Sequence, residues 1–195
     1  PMLELGLCRY NRMFACSNLT ALALYAATFA TGFLLSLYLQ WVRNLAPALV
    51  GLILVSRPAV QALFSPLAGW ISDRAEPRTV VSAGVALSTA GLWALSTLAE
   101  DTGIGLVVAA LLAIGLGIAF FSSPNTNAAV ASVDKRFYGV ASATLSTMRA
   151  AGQTLSMGVV MVVFSTYLGD SAKSSPLFAL AVRSSFSILT LTVSY

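Results

Sequence analysis

At 195 residues, 57% hydrophobic and only 9% charged, with a mean hydropathy of +0.84, the chain is too apolar for a water-soluble domain, which averages about 45–50% apolar and about 25% charged residues. The excess of base, 11 Lys+Arg against 7 Asp+Glu, reads as loop charge that orients a membrane protein rather than as a nucleic-acid footprint. Nucleic-acid binding is therefore excluded as a reading.

Residues 1–12, PMLELGLCRYNR, are too few and too charged to cross a bilayer, and read as a cytoplasmic interfacial segment. Residues 13–42 then carry no charged side chain, and roughly 20 apolar residues suffice to span, so a first transmembrane helix is expected at about 13–41. A second follows at about 47–72, interrupted only by Arg57 and carrying Pro58 and Pro66, both expected to favour kinks. A third is expected at about 79–99 and a fourth at about 103–131, where Pro124 recurs as a kink signal. The fifth, at about 138–168, contains Arg149; the sixth, at about 176–195, contains Arg183 near its start, where it can snorkel to the surface. The breaks RNLAP, DRAEPR, EDTG, DKRFYG and GDSAKSSP are short, so consecutive helices are expected to run antiparallel as neighbours. The fold class is an all-α integral membrane protein with six transmembrane helices in residues 13–195. The opening at Pro1 and the stop at Tyr195 inside an apolar run read as cuts in a longer polypeptide.

Orientation follows from the basic loops. Arg9, Arg12, Arg74, Arg78, Lys135 and Arg136 fall on one side, whereas the other holds Arg43 and Lys173 beside Glu100, Asp101 and Asp170. The first side is expected to be cytoplasmic, in a multi-pass protein of the plasma membrane. Small residues three or four apart, Ala109, Ala113 and Gly117 in the fourth span and Gly84, Ser88 and Gly91 in the third, predict close helix packing. Cys8 and Cys16 suit neither a disulfide framework nor a metal site and read as inert packing residues.

Polar residues recur at helical spacing inside the spans. The first offers Tyr25, Thr28, Gly32, Ser36 and Gln40; the second Arg57, Gln61, Ser65 and Ser72; the fifth Ser142, Ser146, Arg149, Gln153 and Ser156. The fourth adds Asn125 and Asn127 in SSPNTN. Residues three and four apart share a helix face, and charge within the bilayer is costly, about 2.5–3.5 kcal/mol for a central Arg. The stripes are therefore expected to converge on a water-accessible substrate pathway; interhelical hydrogen bonding without a cavity is the alternative. Enzyme chemistry finds no support. The chain has no histidine, no carboxylate lies well inside a span, and GIG and GLG are apolar helix segments rather than phosphate loops. No cofactor or metal is expected.

The densest charge lies in GWISDRAEPRTV, residues 69–80. GWISDRAEPR resembles the G-x-x-x-D-R-x-G-R-K/R signature in cytoplasmic turns of major facilitator superfamily transporters. Gly69, Asp73, Arg74 and Arg78 stand at matching positions, and Glu76–Pro77 replaces the usual Gly-Arg. With ATFATGFLLSLYLQ, LFSPLAGWISDR, GLGIAFFSSPNTNA and RFYGVASATLSTMRAAGQTLSMG, the chain is similar throughout to the C-terminal six-helix half of the fourteen-helix drug:proton antiporter branch. That resemblance implies one half-bundle of a major facilitator fold, partnered by a missing N-terminal half, the lipid bilayer and a small-molecule substrate. Asp73 sits at the C-terminal end of the second span, where the helix dipole disfavours an anion, so contacts that compensate it are expected to act as a cytoplasmic gate.

The function expected is secondary active transport, most simply proton-coupled efflux of drugs or other small molecules by alternating access. An importer or metabolite exporter on the same fold, or a transport-inactive membrane protein that binds a partner, are the alternatives. Arginine stays charged at any accessible pH, so the proton-coupling group is expected in the absent half.

Overall fold

The computed structural model describes residues 12–72, 74, 76–97 and 103–168. The remainder of the interfacial segment, the sixth span at 176–195 and Asp73 lie outside the described residues, as do Cys8, Glu100, Asp101, Asp170, Lys173 and Arg183. Among the described residues every regular element is helical: α1 Arg12–Thr28, α2 Thr31–Leu37, a π-helical turn Tyr38–Val42, α3 Pro47–Ser72, α4 Pro77–Ser96, α5 Ile104–Ala131, a 3₁₀ turn Lys135–Phe137 and α6 Tyr138–Leu168. Four stretches, Arg12–Val42, Pro47–Ser72, Arg78–Ser96 and Ile104–Ala131, are long and apolar enough to cross a membrane. At 31 residues α6 is long enough too, reaching about 46 Å at 1.5 Å per residue against a hydrocarbon core of about 30 Å.

Local chemistry sets the helix ends. Asn44 turns the chain at φ 50°, a left-handed conformation that Asn tolerates, and the Leu45 N–H reaches back to the Leu39 carbonyl at 3.0 Å. Proline then stands first in both α3 and α4, where its missing N–H costs nothing and its fixed φ suits the helix. Pro58, Pro66 and Pro124 lie within helices assigned without interruption. The break in the first span comes instead at Phe29–Ala30, between α1 and α2, and there the Ala30 N–H donates to Ser156 Oγ of α6 at 3.0 Å.

α5 is the hub of the bundle. It packs along α4 and α3 and also meets α1 and α6, while α1 lies along α6. The α4–α5 seam is so close that a Cβ on Gly84 would come within 2.7 Å of the Gly117 carbonyl, and one on Gly91 within 2.9 Å of that of Ala110. The expected small-residue stripe of α4 thus meets α5, with one adjustment: Ala109 is exposed, and Gly91 faces Ala110 and Ile114. One residue turns a helix by about 100°, and a count of small residues does not fix that phase.

Apolar side chains form two clusters. One gathers Leu34, Leu35 and Leu39 with Leu92, Leu95, Leu111 and Ile114. The other gathers Phe14 and Leu24 with Phe121, Ala141 and Leu145. Cys16 joins neither and is exposed, so the packing role expected of it does not hold. It lies on the face of α1 that carries Arg12 and Thr20 into a surface cavity.

Candidate functional site

Along α1 the second apolar cluster ends at Leu24 with Tyr25 packed against it, and the first begins at Ala27; along α6 Leu145 belongs to the second, and Val160, with Met157 against it, to the first. Arg149 and Gln153 therefore fall between two apolar layers, near mid-depth in the bundle, with Tyr25 at the edge of one layer and Ser156 at the edge of the other. Arg57 follows the apolar start of α3, where Val50, Ile53 and Leu54 join the first cluster.

Arg57 is held by the end of α1, and Arg149 by α5 with the Tyr25 ring of α1 beside it. Arg57 Nη1 donates to the Thr28 carbonyl at 3.0 Å. The carbonyls of a terminal helical turn lack partners of their own, and the break after Thr28 supplies one here. The Thr28 hydroxyl is itself buried and donates to the Leu24 carbonyl at 2.8 Å. Arg149 Nη2 donates to Thr126 Oγ1 of α5 at 2.6 Å, and its guanidinium carbon stands 5.6 Å from the centre of the Tyr25 ring, within cation–π range. Because the Thr126 hydroxyl donates its proton to the Ser122 carbonyl at 2.7 Å, its lone pairs are free for the arginine. Arg149 Nε is buried and has no partner among the described residues.

Gln61 and Gln153 stand one turn beyond the arginine of their own helix. Both are half-buried, and neither side-chain amide is hydrogen-bonded to a described residue. The remaining residues of the expected pathway lie elsewhere. Gln40 Nε2 donates to Ser36 Oγ at 2.8 Å beside the π-helical turn. Asn125 is buried and ties α5 to α1 through the Ser17 carbonyl at 3.2 Å, and Asn127 is exposed. The structure thus joins Tyr25 with Arg149 and Thr28 with Arg57, and leaves Gln40, Asn125 and Asn127 outside that cluster.

Thr126 was missing from the sequence-based pathway although it lies between the two asparagines that were singled out. An unassuming hydroxyl gave no reason to prefer it, and only the phase of α5 turns it toward Arg149. Two glycines escaped as well. A Cβ on Gly115 would meet the Arg57 carbonyl at 2.7 Å, and one on Gly152 would run into the Leu22 carbonyl, so both mark close backbone approach beside the polar cluster.

In the charged turn, the Arg74 guanidinium lies 3.9 Å from the centre of the Trp70 ring, while Arg78 is exposed and lines a cavity. Gly69 lets α3 approach Ser123, whose Oγ would lie 3.3 Å from an added Cβ. Among the described residues no cluster of His, Cys, Asp and Glu could hold a metal ion.

An all-helical, multi-pass membrane protein with guanidinium groups held between apolar layers is what these features define. The family model of the Major Facilitator Superfamily matches residues 18–193, and the chain belongs to that superfamily of membrane transporters, multi-pass proteins of the plasma membrane. It is 30% identical over 161 residues to the riboflavin transporter RibZ of Clostridioides difficile, covering 83% of this chain and 34% of that protein. It is 31% identical over 168 residues to the multidrug resistance protein Stp of Mycobacterium tuberculosis, covering 86% of this chain and 31% of that protein. Over 171 residues it is 28% identical to the tetracenomycin C resistance and export protein of Streptomyces glaucescens, covering 87% of this chain and 31% of that protein. The chain spans about a third of the length of these curated relatives.

Proposed function

We propose that this chain is the C-terminal half-bundle of a secondary active transporter that exports small organic molecules by alternating access. The observation that carries the reading is the polar cluster between the two apolar layers. Arg149 presents a buried Nε with no partner among the described residues, and Gln153 beside it has an amide without a hydrogen bond to a described residue. Unsatisfied polar groups are costly in a bilayer, and a substrate's acceptor atoms would satisfy them. Binding near the midplane is what alternating access around a fixed site requires.

Only 6% of the most apolar stretch of α3 is buried within the bundle, against 56% for Arg12–Val42 and 50% for α5. The Arg57 and Gln61 stripe on so exposed a helix is best matched by a second bundle, the N-terminal half, rather than by lipid. Resistance and export in the names of two relatives favour efflux over import. Coupling to protons would draw on a carboxylate outside this chain, and the Gly69, Asp73, Arg74 and Arg78 turn would serve as the cytoplasmic gate.

The test is accessibility in the full-length protein with its native cysteines replaced. Gln153→Cys should react with a small hydrophilic thiol reagent, and an exported compound should slow that reaction. Val162→Cys, on the apolar stretch of the same helix, should react poorly. Equal inertness at both positions would leave a packed bundle without a pathway.

A further inference from the structure

A cavity of about 400 Å³ opens where α1 and α4 begin and α5 nears its C-terminus. That is within the range of about 300–1,000 Å³ usual for small-molecule sites. Arg12 and Arg78 line it, both are exposed, and neither has an ion-pair partner among the described residues. Glu76, two positions before Arg78, is not among the lining residues. The hydroxyls of Thr20 and Ser82 donate to the carbonyls of Cys16 and Arg78, each at 2.8 Å, so among the described lining residues the donors left for a ligand are chiefly the two guanidinium forks. Behind them Asn125 holds the Ser17 carbonyl at 3.2 Å, which fixes α1 against α5. Met13 and Val81 make part of the wall apolar.

Guanidinium forks match phosphate oxygens two at a time, and the N-terminus of α4, which begins at Pro77 just before Arg78, adds positive potential at the same end. An apolar wall beside such a clamp suits an anion that carries hydrocarbon better than a bare ion. This end of the bundle holds Arg12, Arg74, Arg78, Lys135 and Arg136 against Glu76 and Asp134 among the described residues, the excess of base expected of a cytoplasmic face, and anionic lipids give that leaflet its negative surface. We propose that the cavity binds the phosphate of an anionic phospholipid, with Arg12 and Arg78 clamping the headgroup and Met13 and Val81 receiving the start of an acyl chain. The site lies at the rim of the bundle, apart from the mid-depth cluster; it shares Arg78 with the turn proposed as the gate, and its test reads binding rather than transport.

The full-length protein, purified in mild detergent, should be titrated with phosphatidylglycerol, phosphatidylcholine or inorganic phosphate and read by native mass spectrometry. Two basic side chains facing a lipid surface predict about thirtyfold tighter retention of phosphatidylglycerol than of phosphatidylcholine. The double variant Arg12→Gln/Arg78→Gln should fall to the phosphatidylcholine level. Arg12→Lys/Arg78→Lys keeps charge but loses the fork, and should lie between the two; it also serves if the glutamine variant fails to fold. Arg43→Gln, at the other end of the first span, should leave retention unchanged. Equal retention of both lipids, undiminished binding by either double variant, or loss of binding in Arg43→Gln would overturn the site. Inorganic phosphate binding as tightly as phosphatidylglycerol would assign the cavity to a free anion and overturn the lipid.

Discussion

The α4–α5 and α1–α6 seams both bring backbones into contact through glycine, yet they use their hydroxyls in opposite ways. Along α4–α5, Gly84 and Gly117 approach each other's backbone, and Ser88 spends its hydroxyl within its own helix on the Gly84 carbonyl at 3.0 Å. Along α1–α6, Gly152 abuts Leu22, but Ser156 accepts the Ala30 N–H across the seam and Arg149 reaches Tyr25. Close packing alone suffices to join two helices in lipid. Hydrogen bonds across a seam are an addition, and here they sit where the first span is broken. One seam is joined by packing alone, and the other adds polar contacts across it.

The largest effect should come from the tight seam. Gly117→Val would drive a side chain into Ser88 and the Gly84 carbonyl, and overpacking of this kind costs about 1–3 kcal/mol or more. A sharply lowered melting temperature in detergent is expected, and a normal one would show that α4 and α5 can part. Next comes the contact that α6 makes with α5 beside the polar seam, from Arg149 to Thr126. A cycle of Arg149→Gln and Thr126→Val, read by chemical unfolding, should reveal a coupling of about 1.5–3 kcal/mol for a hydrogen bond from a charged donor. Additive effects would mean that the 2.6 Å contact contributes no net stability.

Ser156→Ala should cost less, about 0.6–1.7 kcal/mol by the range of interhelical hydrogen bonds in membranes, and should speed amide exchange at Ala30. Unchanged exchange would place the support of the break elsewhere. The smallest effect is expected at Gly158, where an added Cβ meets nothing within 4 Å. Gly158→Ala should stabilise by no more than about 1 kcal/mol through helix propensity, and a loss of stability would reveal a contact on that face.

Much of the fold was legible because its cause is local. Long uncharged runs must be helical in a bilayer, where every backbone polar group has to be satisfied within its own segment. Gly84, Ser88 and Gly91 were readable as a packing stripe for the same reason: small residues three or four apart share a helix face whatever they meet. The polar cluster was only half legible. Tyr25, Thr28, Arg57 and Arg149 stood out because ionisable and amphipathic groups are conspicuous among apolar ones, but the same logic admitted Gln40, Asn125 and Asn127. Asn125 instead bonds the Ser17 carbonyl, a choice set by how α5 is rotated against α1.

What the sequence determined by itself is the class: a chain too apolar for water, with charge confined to turns and to a few positions inside long helices. Only the tertiary structure decided how those exceptions are arranged. Arg149 meets Thr126 and Tyr25, Arg57 meets the Thr28 carbonyl, and Arg78 shares a cavity with Arg12, 66 positions away by their residue numbers. The physical reason is one of range. Hydropathy and backbone satisfaction act along a single helix and are written in it, whereas helix phase and the partner of each guanidinium depend on steric contacts between helices, such as Gly115 against Arg57 and Gly152 against Leu22, which exist only once the bundle is assembled.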